Sequence, residues 1–219
     1  MSENLIRAGA IFGDPTRCEI IANLMDGRAF TATELASMSH IAPSTASHHL
    51  SLLVEAGILT AISSGRYRYF QIKDASQADL IETFGALATP NRQNNGPLST
   101  ARSCYNHLAG RLGVELRDQF VRMNWLEEVE NNYRLTSSGA EVMQNAGIAL
   151  PDQRARMGKM CLDWTERKYH IGPPLGSYLL TQFQNIGWLE TSHIPRQILI
   201  TKLGKEQLER LGVFAEERR

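Results

Sequence analysis

Residues 43–55 read PSTASHHLSLLVE, and the fold turns on how this stretch divides into two faces. Pro43 suits a first helical turn, where its missing N–H forfeits no hydrogen bond. Ala46, Leu50 and Leu53 then fall on one stripe at helical spacing, while Ser44, His48 and Ser51 lie opposite, flanked by Thr45 and Ser47. Ahead of this helix, Thr31-Ala32-Thr33-Glu34 spells a capping box that opens a short helix with Leu35 and Met38 facing inward. His40-Ile41-Ala42 forms the turn between the two. A short helix, a tight turn and a second helix with one face of small polar side chains is the helix-turn-helix pattern. Short hydroxyl residues let a backbone approach a duplex closely and donate to phosphates and base edges. Taken alone, the same face also suits a solvated helix.

The flanks decide between those readings. Upstream, Asp14-Pro15 predicts a capped helix start, with Ile20, Ile21 and Leu24 on one face and Cys18 read as packing. Before it, Leu5, Ile6, Ala10 and Phe12 predict an amphipathic helix with apolar surface left over for a partner. Downstream, Gly57 suits a left-handed position at the helix C-terminus. Leu59 to Ile62, the turn Ser63-Ser64-Gly65 and the run Arg66 to Ile72 predict a β-hairpin. Side chains alternate along a strand, so Arg66 and Arg68 are expected on one face. Two arginines on a hairpin directly after such a helix read as a wing reaching phosphate or a minor groove.

Three segments in this order and spacing, GDPTRCEIIANL, STASHHLSLLVEAGIL and SGRYRYFQI, make residues 1–90 resemble the ArsR family of winged-helix repressors. The resemblance implies a homodimer joined through the first helix and the helix after the wing, Gln77 to Ala88. It also implies a double-stranded operator of two-fold symmetry and release of that operator by an inducer the sequence does not name. By position it assigns DNA contacts to Ser44, Thr45, Ser47, His48, Arg66 and Arg68, and a structural role to His49. The chain also departs from the family. The helix TATELASMSH lacks the Cys-rich box of metal-sensing members, and QADLIETFGALA lacks the paired Asp/His ligands of zinc-sensing ones. Ala42 stands where members often carry Ser, which removes a cap worth roughly 1 kcal/mol. The scarcity of Lys and Arg near the helix predicts few phosphate contacts and a shallow salt dependence.

The chain has 219 residues, 42% hydrophobic and 21% charged, a mix that excludes extensive disorder and a disulfide-stapled miniprotein. The 23 basic and 23 acidic side chains cancel; residues 1–90 carry six basic and nine acidic, −3, leaving +3 for the remainder. No apolar run approaches the roughly 18 residues of a membrane span, and the N-terminus lacks a signal-peptide pattern. Three well-separated cysteines fit a reducing, cytoplasmic setting. The stretch TPNRQNNGPLST at 89–100 reads as a linker. It divides the chain into a DNA-binding and dimerisation domain, 1–92, and a second domain, 93–219.

The second domain contains a degenerate duplication. Offset by 63, His107 falls on His170, Leu112-Gly113 on Leu175-Gly176, Leu116 on Leu179, Gln119-Phe120 on Gln182-Phe183 and Trp125-Leu126 on Trp188-Leu189. With two residues inserted, Thr136 and Gly139 fall on Thr201 and Gly204. The copies span about 100–147 and 158–214. Each reads as a helix, a Trp-Leu turn, a short hairpin and a final helix, like the latter half of a winged helix. The expected fold is α+β, mainly helical with small hairpins, the copies packed with approximate two-fold symmetry.

This domain is read as the effector-sensing half. Its reactive residues are Cys104 and His107 in copy one and Cys161, Asp163 and His170 in copy two. If the first segment is helical, Cys104 and His107 lie one turn apart on one face. Two Cys with two His or an Asp would complete a tetrahedral site for zinc or another thiophilic metal. Thiolates beside His or Arg167 would instead be open to oxidation, and buried Cys simply packs. The histidines repeat at the offset of 63 whereas the cysteines do not, since Arg167 occupies the place of Cys104. An organic ligand near Trp125, Trp164, Trp188 and Tyr169 is a further reading. The regulator reading involves no enzymatic step. Its competitor is a nucleophile or metal-hydrolase group of Cys161, Asp163 and His170, for which no G-x-S-x-G, phosphate loop or H-E-x-x-H accompanies them.

Overall fold

Asp14 accepts a hydrogen bond from the Arg17 N–H at 2.9 Å, and Pro15 fills the first turn, so the helix at Pro15 starts where the sequence places it. The structure, a computed structural model, describes residues 2–88, 96–149 and 152–214. It comprises two compact units, Met1–Leu80 and Ile81–Arg219, and the boundary expected at residue 92 lies outside the described residues.

The first unit runs α1 (Ser2–Phe12), α2 (Pro15–Leu24), β1 (Phe30–Thr31), α3 (Ala32–Met38), α4 (Pro43–Glu55), β2 (Leu59–Ser64) and β3 (Tyr67–Ile72), then enters α5 (Ala75–Ala88). Its core collects Ile20, Ile21 and Leu24 from α2, Leu35 from α3, Ala46, Leu50 and Leu53 from α4, and Phe70 and Ile72 from β3. Burying each large aliphatic side chain is worth roughly 1.5–3 kcal/mol, which fixes the angle at which α4 is held. The strands form an antiparallel sheet in the order β1-β3-β2. At the start of α3, Glu34 accepts from the Thr31 N–H at 2.7 Å while Thr31 Oγ1 accepts from the Glu34 N–H at 3.3 Å, the reciprocal cap read from the sequence. Ala42 opens α4 with no side-chain cap, as expected. On α1, Leu5 and Ile6 are 75% and 71% exposed, so the apolar face is left over.

The wing differs in one respect. Pairing continues to Ser64↔Tyr67, so β2 is longer than the apolar run suggested and the turn is Gly65-Arg66, with Gly65 at φ +58°. Arg66 therefore sits at the tip, and only Arg68 lies on the strand.

The second unit repeats one element order, hairpin-helix-hairpin-helix. Copy one is β4 (Arg102–Cys104), β5 (His107–Ala109), α6 (Gly110–Arg122), β6 (Leu126–Val129), β7 (Asn132–Leu135) and α7 (Ser137–Asn145). Copy two is β8 (Met157–Leu162), β9 (Tyr169–Pro174), α8 (Leu175–Asn185), β10 (Leu189–Thr191), β11 (Ile198–Ile200) and α9 (Lys202–Arg210). The sequence reading had no hairpin before each long helix. Cys104 and His107 lie on a β-hairpin, not one turn apart on a helix, because the chain reverses at Tyr105, φ +57°, and becomes helical only at Gly110.

The copies interlock through these hairpins. β8 of copy two joins β7 of copy one in the sheet β6-β7-β8-β9, and Arg102 on β4 bridges Gln197 beside β11. One apolar core contains Leu112, Leu116 and Phe120 of α6 with Leu175, Leu179 and Phe183 of α8. The matched motifs keep matched tasks. Trp125 and Trp188 pack on Phe120 and Phe183 at centroid distances of 5.3 and 5.1 Å, and Thr136 and Thr201 cap α7 and α9.

Candidate metal centre and nucleic-acid face

Strand register builds the centre. Cys104 stands opposite His107 across β4 and β5, and Cys161 stands opposite His170 across β8 and β9. Directly opposed residues in an antiparallel pair project to one face, so each hairpin presents a thiol and an imidazole together. The turn between Cys104 and His107 has two residues, and eight separate Cys161 from His170, six more. That insertion displaces the cysteines from the offset of 63, which corrects their sequence assignment: Cys161, not Arg167, is the structural counterpart of Cys104.

The two hairpins bring all four side chains together. Cys104 Sγ and Cys161 Sγ are 4.0 Å apart, and His107 Nε2 and His170 Nε2 are 3.0 Å apart. One ligand atom from each of the four lies within 4.8 Å of all the others, and all four residues are buried. The repeated glycines allow this approach. A Cβ on Gly176 of α8 would sit 1.8 Å from the Ile171 carbonyl oxygen and 3.2 Å from His107 Cβ; on Gly113 of α6 it would sit 2.8 Å from the Leu108 carbonyl oxygen and 3.6 Å from His170 Cβ. Each copy's helix thus packs against the other copy's histidine.

Asp163 lies behind this group. Its Oδ2 is 3.3 Å from His170 Nδ1 and accepts from Arg102 Nη2 at 3.0 Å and from the Gly110 N–H at 2.7 Å. Its Oδ1 accepts from the Thr165 N–H and hydroxyl at 2.9 and 2.7 Å and from the Glu166 N–H at 3.1 Å. Asp163, grouped with the candidate donors on sequence, lies outside the four clustered ligand atoms and beside His170. Against the opposing effect of burial, bonds to His170 and the charge of Arg102 hold its carboxyl below the usual carboxylate range. Burial disfavours the charged form of His170, yet Asp163 and Cys161 push its pKa up to about 9. The hydrogen bond with Cys104 draws the Cys161 thiol down, with help from His107 and His170, and that same bond raises Cys104. The facing Nε2 atoms of His107 and His170 lie at hydrogen-bond distance, 3.0 Å.

The donor set fits a tetrahedral ion. With Zn–N near 2.0–2.1 Å and Zn–S near 2.3 Å, tetrahedral edges come to about 3.3 Å for N···N and about 3.8 Å for S···S. The observed N···N of 3.0 Å is about 0.3 Å shorter, and the S···S of 4.0 Å about 0.2 Å longer, than those edges. The aromatic residues considered for an organic ligand are dispersed over the unit. Trp125 and Trp188 line the core, Trp164 covers the Arg102 guanidinium at 4.8 Å, and Tyr169 is exposed.

On the first unit, Ser44, Thr45, Ser47 and His48 of α4 are all exposed, as are Arg66 and Arg68 of the wing. Ser47 Oγ and Ser51 Oγ donate to the carbonyls four residues back, at 2.8 and 2.9 Å. Arg66 and Arg68 lie over the rings of Tyr67 and Phe70 at 5.2 Å each. His49 is buried, its Nδ1 3.3 Å from Arg17 Nη1. Sequence reasoning missed the half-exposed Tyr67 in the wing and the fully buried Arg102. It also missed the buried pair of Glu82 and Arg196. Only tertiary neighbours distinguish these from ordinary surface residues. Among the described residues, no helix is long and apolar enough to cross a membrane.

A family model described as a helix-turn-helix domain matches residues 12–61. The chain is 35% identical over 220 residues to the uncharacterized HTH-type transcriptional regulator YdfF of Bacillus subtilis, covering 96% of this chain and 97% of that protein. It is 35% identical over 89 residues to the HTH-type transcriptional regulator CmtR of Mycobacterium bovis, covering 39% of this chain and 75% of that one. Among solved structures, the homodimeric winged helix-turn-helix domain of Mb0332 from Mycobacterium bovis, a possible ArsR-family regulator, is 22% identical. It covers 39% of this chain and 79% of that chain, with a TM-score of 0.36. The likeness to YdfF runs through both units, so the duplicated second unit is common to the two proteins.

Proposed function

We propose that this chain, which belongs to the HTH-type transcriptional regulators, is a homodimeric winged-helix repressor of the ArsR type whose operator affinity is set by a thiophilic metal ion. One observation carries the metal reading: two thiols and two imidazoles, buried and mutually within 4.8 Å, contributed equally by two interlocked hairpins. Cys104, His107, Cys161 and His170 would hold the ion, zinc or a metal of similar preference. Such an ion supplies Lewis acidity and a fixed tetrahedral geometry. Asp163 orients His170, and Arg102 holds Asp163 in place. The closed donor set leaves no position for water, which favours sensing or structural use over hydrolysis.

On the DNA side, α4 enters a major groove with Ser44, Thr45, Ser47 and His48, and the wing lays Arg66 and Arg68 on the backbone or in the minor groove. The leftover apolar faces of α1 and α5 join two protomers. Repression is occupancy of a promoter, and the ion changes the balance between operator-competent and operator-incompetent states. The sulfur pair at 4.0 Å supports a second reading, in which an oxidant joins Cys104 and Cys161 as a disulfide. Fluorescence anisotropy on a duplex selected by the protein from a random pool tests both. Zn(II) should weaken binding at least tenfold; an affinity that ignores Zn(II) but falls with hydrogen peroxide selects the thiol reading, and indifference to both rejects this unit as a sensor.

A further inference from the structure

Glu82 lies on α5 just beyond the division after Leu80, and its side chain is 4% exposed. It pairs with Arg196, a residue of the loop between β10 and β11 held at φ +67°. Arg196 Nε donates to the Ser103 carbonyl at 3.1 Å, and the Ser103 N–H donates to the Arg196 carbonyl at 2.8 Å. Ser103 directly precedes Cys104 on β4. One guanidinium therefore ties a buried carboxylate of α5 to the strand that carries a donor of the centre.

Two features set this arrangement apart from a stability device. Desolvation makes a buried ion pair a poor source of stability, and its best-attested use is to fix one arrangement against another. A non-glycine residue in the left-handed region stores backbone strain, which persists only where the surroundings hold it. Here both fall on one residue, Arg196, which is hydrogen-bonded to the strand that carries Cys104. α5 itself continues from the first unit without a break, so what grips its second half has a covalent route into the DNA-binding half.

We propose that the Glu82–Arg196 pair couples the metal centre to α5, Arg196 reading the position of β4 through Ser103 and passing it to the helix through Glu82. The inference rests on the metal-responsive reading above. An ion that draws four donors to fixed separations fixes β4. Ser103 carries that restraint to Arg196 through two hydrogen bonds, and α5 is then held more tightly than in the metal-free chain.

Amide hydrogen exchange of the full-length chain, read on peptides covering residues 75–88 with and without Zn(II), tests this. Zinc retention is measured on the same samples. In the wild type Zn(II) should slow α5 exchange by roughly fivefold or more. Glu82→Gln should keep one zinc per chain and lose that slowing. Arg196→Lys, which keeps a positive charge opposite Glu82 but gives up the Nε donation to the Ser103 carbonyl, should lose it too. Either variant responding like the wild type overturns the coupling and leaves the metal centre standing. A wild type that retains no zinc overturns the metal reading and the coupling together.

Discussion

Asp163 shows how much a single side chain carries here, since its two oxygens serve His170, Arg102, Gly110, Thr165 and Glu166. Asp163→Asn strands the Arg102 guanidinium, fully buried, without its counter-charge. The expected cost is about 3–5 kcal/mol, read as a shift in urea midpoint. A carboxyl held below its ordinary value in the folded chain contributes stability that is fully present above the unfolded value, roughly pH 4, and is lost as pH falls through the folded one. Asp163→Asn should accordingly flatten the acid limb of the stability curve. Cys161→Ser tests a different property. Structural zinc sites bind with roughly 10–16 kcal/mol, so one ligand of four accounts for about 3 kcal/mol, or about a hundredfold in zinc affinity by chelator competition. Metal-free operator affinity should be unchanged. All four donors were legible in the sequence as residue types. Their pairing was not, because the six-residue insertion in the second hairpin breaks the constant offset that would have matched the cysteines.

Among the elements, local rules were the readable ones. The Asp14 and Thr31 caps, the apolar stripe of α4 and the small-polar face opposite it depend on neighbours within a turn or two, and each appears where the pattern puts it. β4 and β5 have three residues each, too few for any alternation to register, so the sequence gives no sign of a hairpin there. The wing was legible as a hairpin, but its turn was set by cross-strand pairing to Ser64, which placed Arg66 at the tip. Ala42→Ser should add the missing side-chain cap to α4 and raise stability by about 0.5–1 kcal/mol in denaturant titration; no gain would mean the N-terminus of α4 is already satisfied. Gly176→Ala forces α8 off the Ile171 carbonyl and His107. It should weaken zinc retention more than Gly187→Ala, at a left-handed position (φ +72°) with open space around it, where the added Cβ costs stability without touching the centre.

At the scale of the whole molecule, a reader unit of the winged-helix type is followed by a duplicated unit that places its reactive residues where the two copies interlock. Neither copy holds a complete donor set, so the duplication itself creates the centre. The sequence shows the repeat but not the crossing of hairpins, which depends on pairing between strands far apart in the chain. With two wing arginines per protomer and two protomers on the operator, replacing Arg66 and Arg68 by Ala should make the salt dependence shallower by roughly 3.6 in slope. An unchanged slope would place the wing off the DNA. On the proposed reading, Cys104, His107, Cys161 and His170 together hold one metal ion. X-ray absorption at the zinc edge on the purified, zinc-loaded chain measures that directly. One zinc per chain is expected, with two sulfur neighbours near 2.3 Å and two nitrogen neighbours near 2.0 Å. A shell of oxygen and nitrogen alone, or a chain that releases its zinc on desalting, would contradict it.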